Sequence, residues 1–145
     1  MNMSSNPRSR ARARAVQALY QWQLTGQNVS DIESQFLAEE DMKGVDVAYF
    51  STLLHEVPAN LKTFDEHLAG VIDRGIEAVD PVERAVLRLG VCELALHPEV
   101  PYRVAINEAV ELAKVYGAEQ GHKYVNGVLD KLARKLRKPE TGARK

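Results

Sequence analysis

Apolar side chains recur every three to four residues along most of this 145-residue chain, and this helical period constrains the fold more than any other feature. No stretch alternates with period two for long enough to form a sheet. The pattern predicts helices over about 8–25, 30–40, 45–56, 80–96, 101–116 and 119–136. The helical period of the third segment continues beyond Pro58, from 61 to 72. The chain should therefore adopt an all-α fold, a compact bundle of about seven helices.

Local signals predict where several of these helices begin and break. The clearest start is Asp80-Pro81, where a capping aspartate precedes a proline at the first helical position. Ser30 has capping-box spacing and should open the second helix. Pro58 should kink the chain or restart the helix after it. Gly127 lies inside the last predicted helix at a cost of roughly 1 kcal/mol relative to alanine, so we expect it to permit close approach of another helix or a ligand.

The length fits a single domain over residues 1–145, with loose ends at about 1–7 and 138–145. The lone cysteine, Cys92, lies in an apolar helical run and is expected to be a core residue. No apolar stretch approaches the roughly 20 residues needed to cross a bilayer, and no apolar segment follows the N-terminal arginines as it would in a secretory signal. These features predict a cytoplasmic protein that does not contact a membrane.

The formal net charge of −1 hides a strong asymmetry along the chain. Residues 1–30 carry four arginines and no acid, and residues 131–145 carry seven Lys or Arg against Glu140 alone. The stretch between them has eight basic and nineteen acidic residues. The basic ends form a local anion-binding patch if the fold brings them together, or they merely keep the chain soluble. Charge alone does not choose between these readings.

The residues that usually carry catalysis are not arranged for it. The four histidines, at 55, 67, 97 and 122, form no His-x-x-x-His pair, and one cysteine is too few for a structural zinc site. There is no glycine-rich phosphate loop, and no pair of carboxylates stands out for acid–base work. We therefore expect no catalytic residue, no metal site and no cofactor, and hence a protein that is not an enzyme.

Two clusters suit nucleic acid instead. Arg8, Arg10, Arg12 and Arg14 wrap the start of the first predicted helix, where we expect them to be exposed and able to hold phosphates. Near the start of the last helix, residues 121–124 combine a flexible glycine, a lysine and two rings that can stack on unpaired bases. Core packing is the competing interpretation of Tyr124.

Four blocks of the sequence resemble the NusB family. They are ARxxAxxALYxW at 11–22, VERAVLRLG at 82–90, VAINEAVELAK at 104–114 and KYVNGVLD at 123–130. The blocks appear in the family's order, with family-like gaps, and the resemblance covers about residues 9–136. Four such blocks together are far more specific than any one of them.

The resemblance implies two small sub-bundles of three or four helices each and a role in transcription antitermination. It implies binding of boxA-type single-stranded RNA together with NusE, a ribosomal protein, within an RNA polymerase antitermination complex on ribosomal RNA operons. The RNA-binding residues that it implies are Arg8, Arg12, Gln17, Lys123, Tyr124 and Asn126. The residues that it implies for the protein partner are Tyr20, Leu24, Glu77 and Glu83. A basic ribosomal protein would then use the acidic middle of the chain.

One alternative belongs to another class: a helical protein-interaction module without an RNA role. Binding of RNA at several salt concentrations separates the two, because phosphate contacts weaken as salt rises. Neither the residues nor the resemblance decides between a monomer and a homodimer.

Overall fold

The structure, a computed structural model, describes residues 6–142. That part of the chain contains eight α-helices and no strand: α1 (Pro7–Thr25), α2 (Val29–Glu39), α3 (Val47–Ala59), α4 (Leu61–Ala69), α5 (Pro81–Leu96), α6 (Tyr102–Tyr116), α7 (Gly121–Leu136) and α8 (Lys138–Thr141). A 3₁₀ turn (Ile76–Ala78) precedes α5. The all-α prediction is confirmed, and a short eighth helix is added to the seven expected.

Side-chain caps fix the starts of the helices. The Asp80 carboxylate accepts hydrogen bonds from the backbone N–H groups of Val82 and Glu83, as the sequence predicts. The predicted cap at Ser30 is wrong, because the side chain of Asn28 accepts from the backbone at the start of α2 instead. Pro58 falls in the last turn of α3, and the chain restarts as α4 after Asn60.

Helix α5 is the centre of the molecule. Every residue from Glu83 to Leu94 is buried, because α1, α3, α4, α6 and α7 all pack against this helix. Gly90 allows α7 to cross closely: a Cβ built there would lie 2.7 Å from Leu129 Cδ1. Helices α1, α2 and α3 contact one another, and α6 and α7 pack against each other and against α5. This arrangement agrees with the two sub-bundles that the resemblance implies.

The environments of Cys92 and Gly127 and the length of the helices bear on three predictions made from the sequence. Cys92 is fully buried, as predicted. Gly127 does not bring another helix close, because nothing lies within 4 Å of a Cβ built there, so the helix-contact half of that prediction is wrong. Among residues 6–142, no helix is both long and apolar enough to span a bilayer.

The loose tail expected from about 138 is partly wrong, because α8 and the residue before it are held. The buried Arg137 guanidinium donates to the backbone carbonyls of Glu93, Leu94, His97 and Val100 and pairs with Glu140 at 2.6 Å. These bonds fasten the start of α8 to the carbonyls at the end of α5 and in the turn that follows it. At the other end, Asn6 caps α1 and Pro7 is its first residue, so these two are ordered as well. Residues 1–5 and 143–145 lie outside the described part of the chain.

Candidate nucleic-acid interface

Tyr124 lies in the first turn of α7 and is half-buried. Part of the ring packs against the core, and the Arg74 guanidinium carbon lies 4.7 Å from the ring centroid. Arg74 is held in turn by Asp73, with Nε donating to Oδ1 at 2.9 Å. Burial raises the pKa of Tyr124, and the Asp73 carboxylate adds to that rise. The ring is therefore both anchored in the fold and accessible, so neither interpretation made from the sequence holds alone.

Exposed polar groups surround this ring. Lys123 and Asn126 are exposed on neighbouring positions of α7. Arg74 was not anticipated from the sequence, although a cation in a short polar stretch before a capped helix is a recognisable signal. A stacking surface for a base and cations for phosphates therefore meet at the start of α7.

The same end of α7 depends on a tight contact with α5. A Cβ built on Gly121 would lie 2.1 Å from Glu83 Oε2, so only glycine fits there without displacing that carboxylate. Burial raises the pKa of Glu83, and the nearby Asp80 carboxylate raises it further. The sequence predicts a flexible glycine at 121, but the observed role of Gly121 is to leave room for the Glu83 side chain.

Arg8 lies at the opposite end of the bundle. Its side chain is 43% exposed, and the guanidinium approaches Asp46 and Glu99 at 3.8 Å each. It also lies over the Tyr49 ring, 4.0 Å from the centroid. Long ion pairs at an exposed site are weak, so this cation remains available to an anion.

Arg12 is not exposed as expected. Only 3% of the residue is accessible, and its Nε donates to both Glu93 carboxylate oxygens at 2.8 and 3.0 Å. Its Nη1 bonds Glu108 at 3.1 Å, and the Tyr49 hydroxyl donates to the same Glu93 carboxylate. Burial lowers the pKa of Arg12, but the Glu93 carboxylate more than compensates and the net shift is upward. Arg12 joins α1 to α5 and α6 and has no free donor face comparable to that of Arg8.

The candidate RNA residues do not form one cluster. Helix α1 runs opposite to α5, since Arg12 bonds Glu93 whereas Gln23 donates to the backbone carbonyl of Pro81. Ten residues of α5 separate Glu83, beside the start of α7, from Glu93, which is roughly 15 Å at 1.5 Å per residue. Gln17 lies between these ends and donates to the Tyr116 hydroxyl at 2.8 Å. The structure therefore gives two basic ends and no single patch.

The candidate partner residues lie around the C-terminal half of α1 and the start of α5. Tyr20 and Leu24 are 38% and 55% exposed and lie four residues apart, so they are neighbours on the surface of α1. Glu77 is exposed and pairs with Arg84 at 2.9 Å. Glu83 does not project into solvent, as a charged residue at the edge of a protein interface would, because only 8% of the residue is accessible.

One buried group of side chains has the right types to hold a metal. His97 Nε2 lies 2.6 Å from Glu56 Oε1, and Cys92 Sγ donates to the same oxygen at 3.4 Å. His97 Nδ1 faces Glu99 at 3.1 Å. Burial raises the pKa of the Cys92 thiol, and the Glu56 carboxylate adds to the rise, which keeps the sulfur protonated. These groups satisfy one another through hydrogen bonds.

Comparison with known proteins places this geometry in context. The model of the NusB family matches residues 9–134. The transcription antitermination protein NusB of Alcanivorax borkumensis is 56% identical over 147 aligned positions, covering 100% of this chain and 98% of its own. The solved NusB of T. maritima has a TM-score of 0.82 at 28% identity, covering 94% of this chain and 98% of that one. A solved complex of the antitermination factors NusB and NusE with double-stranded RNA has a TM-score of 0.81 at 29% identity, covering 88% of this chain and 96% of its NusB chain.

Proposed function

Because the chain belongs to the NusB family, we propose that it is an RNA-binding transcription antitermination factor that acts together with a NusE-type ribosomal protein. The relatives are named for transcription antitermination, a role without catalysis, and this confirms the prediction that the chain is not an enzyme. A place in an RNA polymerase antitermination complex, and hence in the cytoplasm, follows from the same role.

The observation that carries the RNA half of the proposal is the half-exposed ring of Tyr124. A ring that packs against the core and is still partly accessible, with the Arg74 guanidinium carbon 4.7 Å from its centroid and Lys123 next to it in sequence, offers a stacking surface near cations. Stacking requires an unpaired base, so we assign boxA-type single-stranded RNA to this end of the molecule. The related solved complex contains double-stranded RNA, which makes strand preference the property to measure.

The test is a titration with boxA-type RNA as a single strand and as a duplex of the same sequence, with and without the ribosomal protein, at several salt concentrations. We expect tighter binding of the single strand, a further gain when the partner is present, and affinity that falls as salt rises. Equal binding of a scrambled strand with no effect of the partner would refute the proposal.

A protein-interaction module without an RNA role is the second candidate, and it shares with the first the exposed side chains of Tyr20 and Leu24. An aromatic side chain beside an aliphatic one on a helix surface is a typical anchor for a protein partner. Binding of the ribosomal protein with no measurable affinity for RNA, alone or in the complex, would support this candidate over the first.

A further inference from the structure

A basic groove runs along α7, between that helix and the end of α4. Its volume is about 1010 Å³, and Lys131, Lys135 and Lys138 line one side. Gly70 and Val71 line the other, with Lys135 Nζ 3.7 Å from a Cβ built on Gly70. All three lysines are exposed. The groove is therefore a shallow trough lined by positive charge.

The two acids that line the groove are each paired with an arginine. Asp130 pairs with Arg134 at 3.2 Å, and Asp73 pairs with Arg74. Within residues 6–142, no ion pair joins Lys131, Lys135 or Lys138 to a carboxylate. Lys131 and Lys135 are one turn apart on α7, so their like charges repel each other, and a polyanion bound in the groove would reduce that repulsion.

The groove shares a stripe of α7 with Tyr124. Tyr124 and Lys131 are seven residues apart on α7, which is close to two helical turns, and Lys135 follows one turn later, so the three lie along one side of the helix axis. Gly127 lies on the same side between the first two, is exposed, and has open space around it. A glycine there weakens the helix and serves no contact within the described part of the protein, but it leaves the backbone open to a ligand.

The far end of the groove approaches the Arg8 end of the bundle. Tyr102, the first residue of α6, lines the groove, and its backbone N–H donates to Glu140 of α8 at 2.8 Å. Arg8 reaches Glu99, three residues earlier on the loop that leads into α6. The groove therefore lies between the two basic ends, with Asp73 at one end and Tyr102 at the other.

We propose that this groove binds the phosphates of RNA that continues from the base stacked on Tyr124 toward the Arg8 end. The inference rests on the proposed function and adds the path of the flanking strand. From Tyr124 to Lys135 helix α7 extends roughly 16 Å, which about five nucleotides of a stacked strand span at about 3.4 Å each.

The test compares a short boxA-type RNA with the same RNA extended by six nucleotides at its 5′ or 3′ end. The triple variant Lys131→Gln, Lys135→Gln, Lys138→Gln removes the groove's charge. The matched control is Lys43→Gln, Lys62→Gln, Lys114→Gln, which makes the same change in net charge at exposed positions on other elements.

We expect the wild type to bind one extended RNA more tightly than the short one, and the groove variant to lose that gain while binding the short RNA normally. Its salt slope on the extended RNA should fall by about two, or about 0.7 per lost phosphate contact. When the salt concentration is raised fourfold, a slope lower by two means that the affinity of the groove variant falls by a factor roughly 16 times smaller than that of the wild type.

Each remaining outcome overturns the inference in a distinct way. If the groove and control variants weaken binding equally, the effect is one of overall charge. If the groove variant behaves as the wild type does, or if neither extension increases affinity, RNA does not follow the groove. The proposed function still stands in that case, provided that the short RNA binds. If the wild type binds none of these RNAs, the proposed function fails together with the inference.

Discussion

Replacing Arg12 by alanine should destabilise the fold and leave the RNA-binding surface intact. The substitution removes the guanidinium from a fully buried Glu93 carboxylate that it bonds at 2.8 and 3.0 Å, so one charge stays buried with only the Tyr49 hydroxyl as partner. Breaking a buried pair from one side typically costs about 3–5 kcal/mol. Domains of this kind are stable by about 5–15 kcal/mol, so the loss is a large fraction of the total.

Urea and thermal unfolding followed by circular dichroism measure this loss. At roughly 3 °C per kcal/mol for a chain of this size, Tm should fall by about 10–15 °C. The double variant Arg12→Met, Glu93→Gln should recover much of the stability, because it removes both charges and not one. RNA affinity, measured where the single variant is folded, should stay within about twofold of the wild type.

Arg8→Ala is the matched control on the same helix. Its long, partly exposed ion pairs contribute at most about 1 kcal/mol, so we expect nearly normal stability but weaker RNA binding with a lower salt slope. If Arg12→Ala melts as the wild type does and loses RNA affinity as Arg8→Ala should, the assignment of Arg12 to the fold is refuted.

Four further predictions concern the first half of α7, the Glu83 carboxylate and the partner surface. Tyr124→Ala should cost about 1–3 kcal/mol of RNA affinity and Tyr124→Phe much less, by titration of the folded variants; equal losses would argue against stacking. Gly121→Ala should lower Tm, because its Cβ would lie 2.1 Å from Glu83 Oε2. Gly127→Ala, whose Cβ would lie in open space, should raise the free energy of unfolding by up to about 1 kcal/mol. A Gly121→Ala variant more stable than Gly127→Ala would contradict this packing. Burial raises the folded-state pKa of Glu83, so its negative charge opposes folding at pH values above the unfolded-state pKa of about 4.3. Glu83→Gln should therefore be more stable than the wild type at pH 7. This difference in stability should vanish as the pH falls below about 4.3. Tyr20→Asp should nearly abolish binding of the ribosomal protein while preserving the melt and RNA binding; normal partner binding would exclude this surface.

Helical period and local caps were sufficient to predict most of the architecture. Those signals operate within one or two turns, so the start of α5 at Pro81, its end near Leu96 and the burial of Cys92 could all be predicted from neighbouring residues. The family resemblance rested on blocks of the same local kind. The error at Ser30 arose because two polar residues close together can each cap a helix, and only the path of the chain into α2 selects Asn28.

Tertiary packing alone decided which charged residues face solvent and which lie together. Arg8 and Arg12 are one turn apart on α1, yet Arg8 remains partly exposed while Arg12 is buried, because Glu93 and Glu108 come from helices about 80 to 100 residues away. Glu83 is buried because a glycine at 121 lets α7 approach it. The residues next to Glu83 and Gly121 in sequence do not predict this contact. The same long-range packing separates Tyr124 from Arg8 and places the groove between them. Burial of a charge depends on partners distant in sequence, whereas a helix depends on hydrogen bonds four residues apart, and so the sequence determined the helices but the fold determined the site.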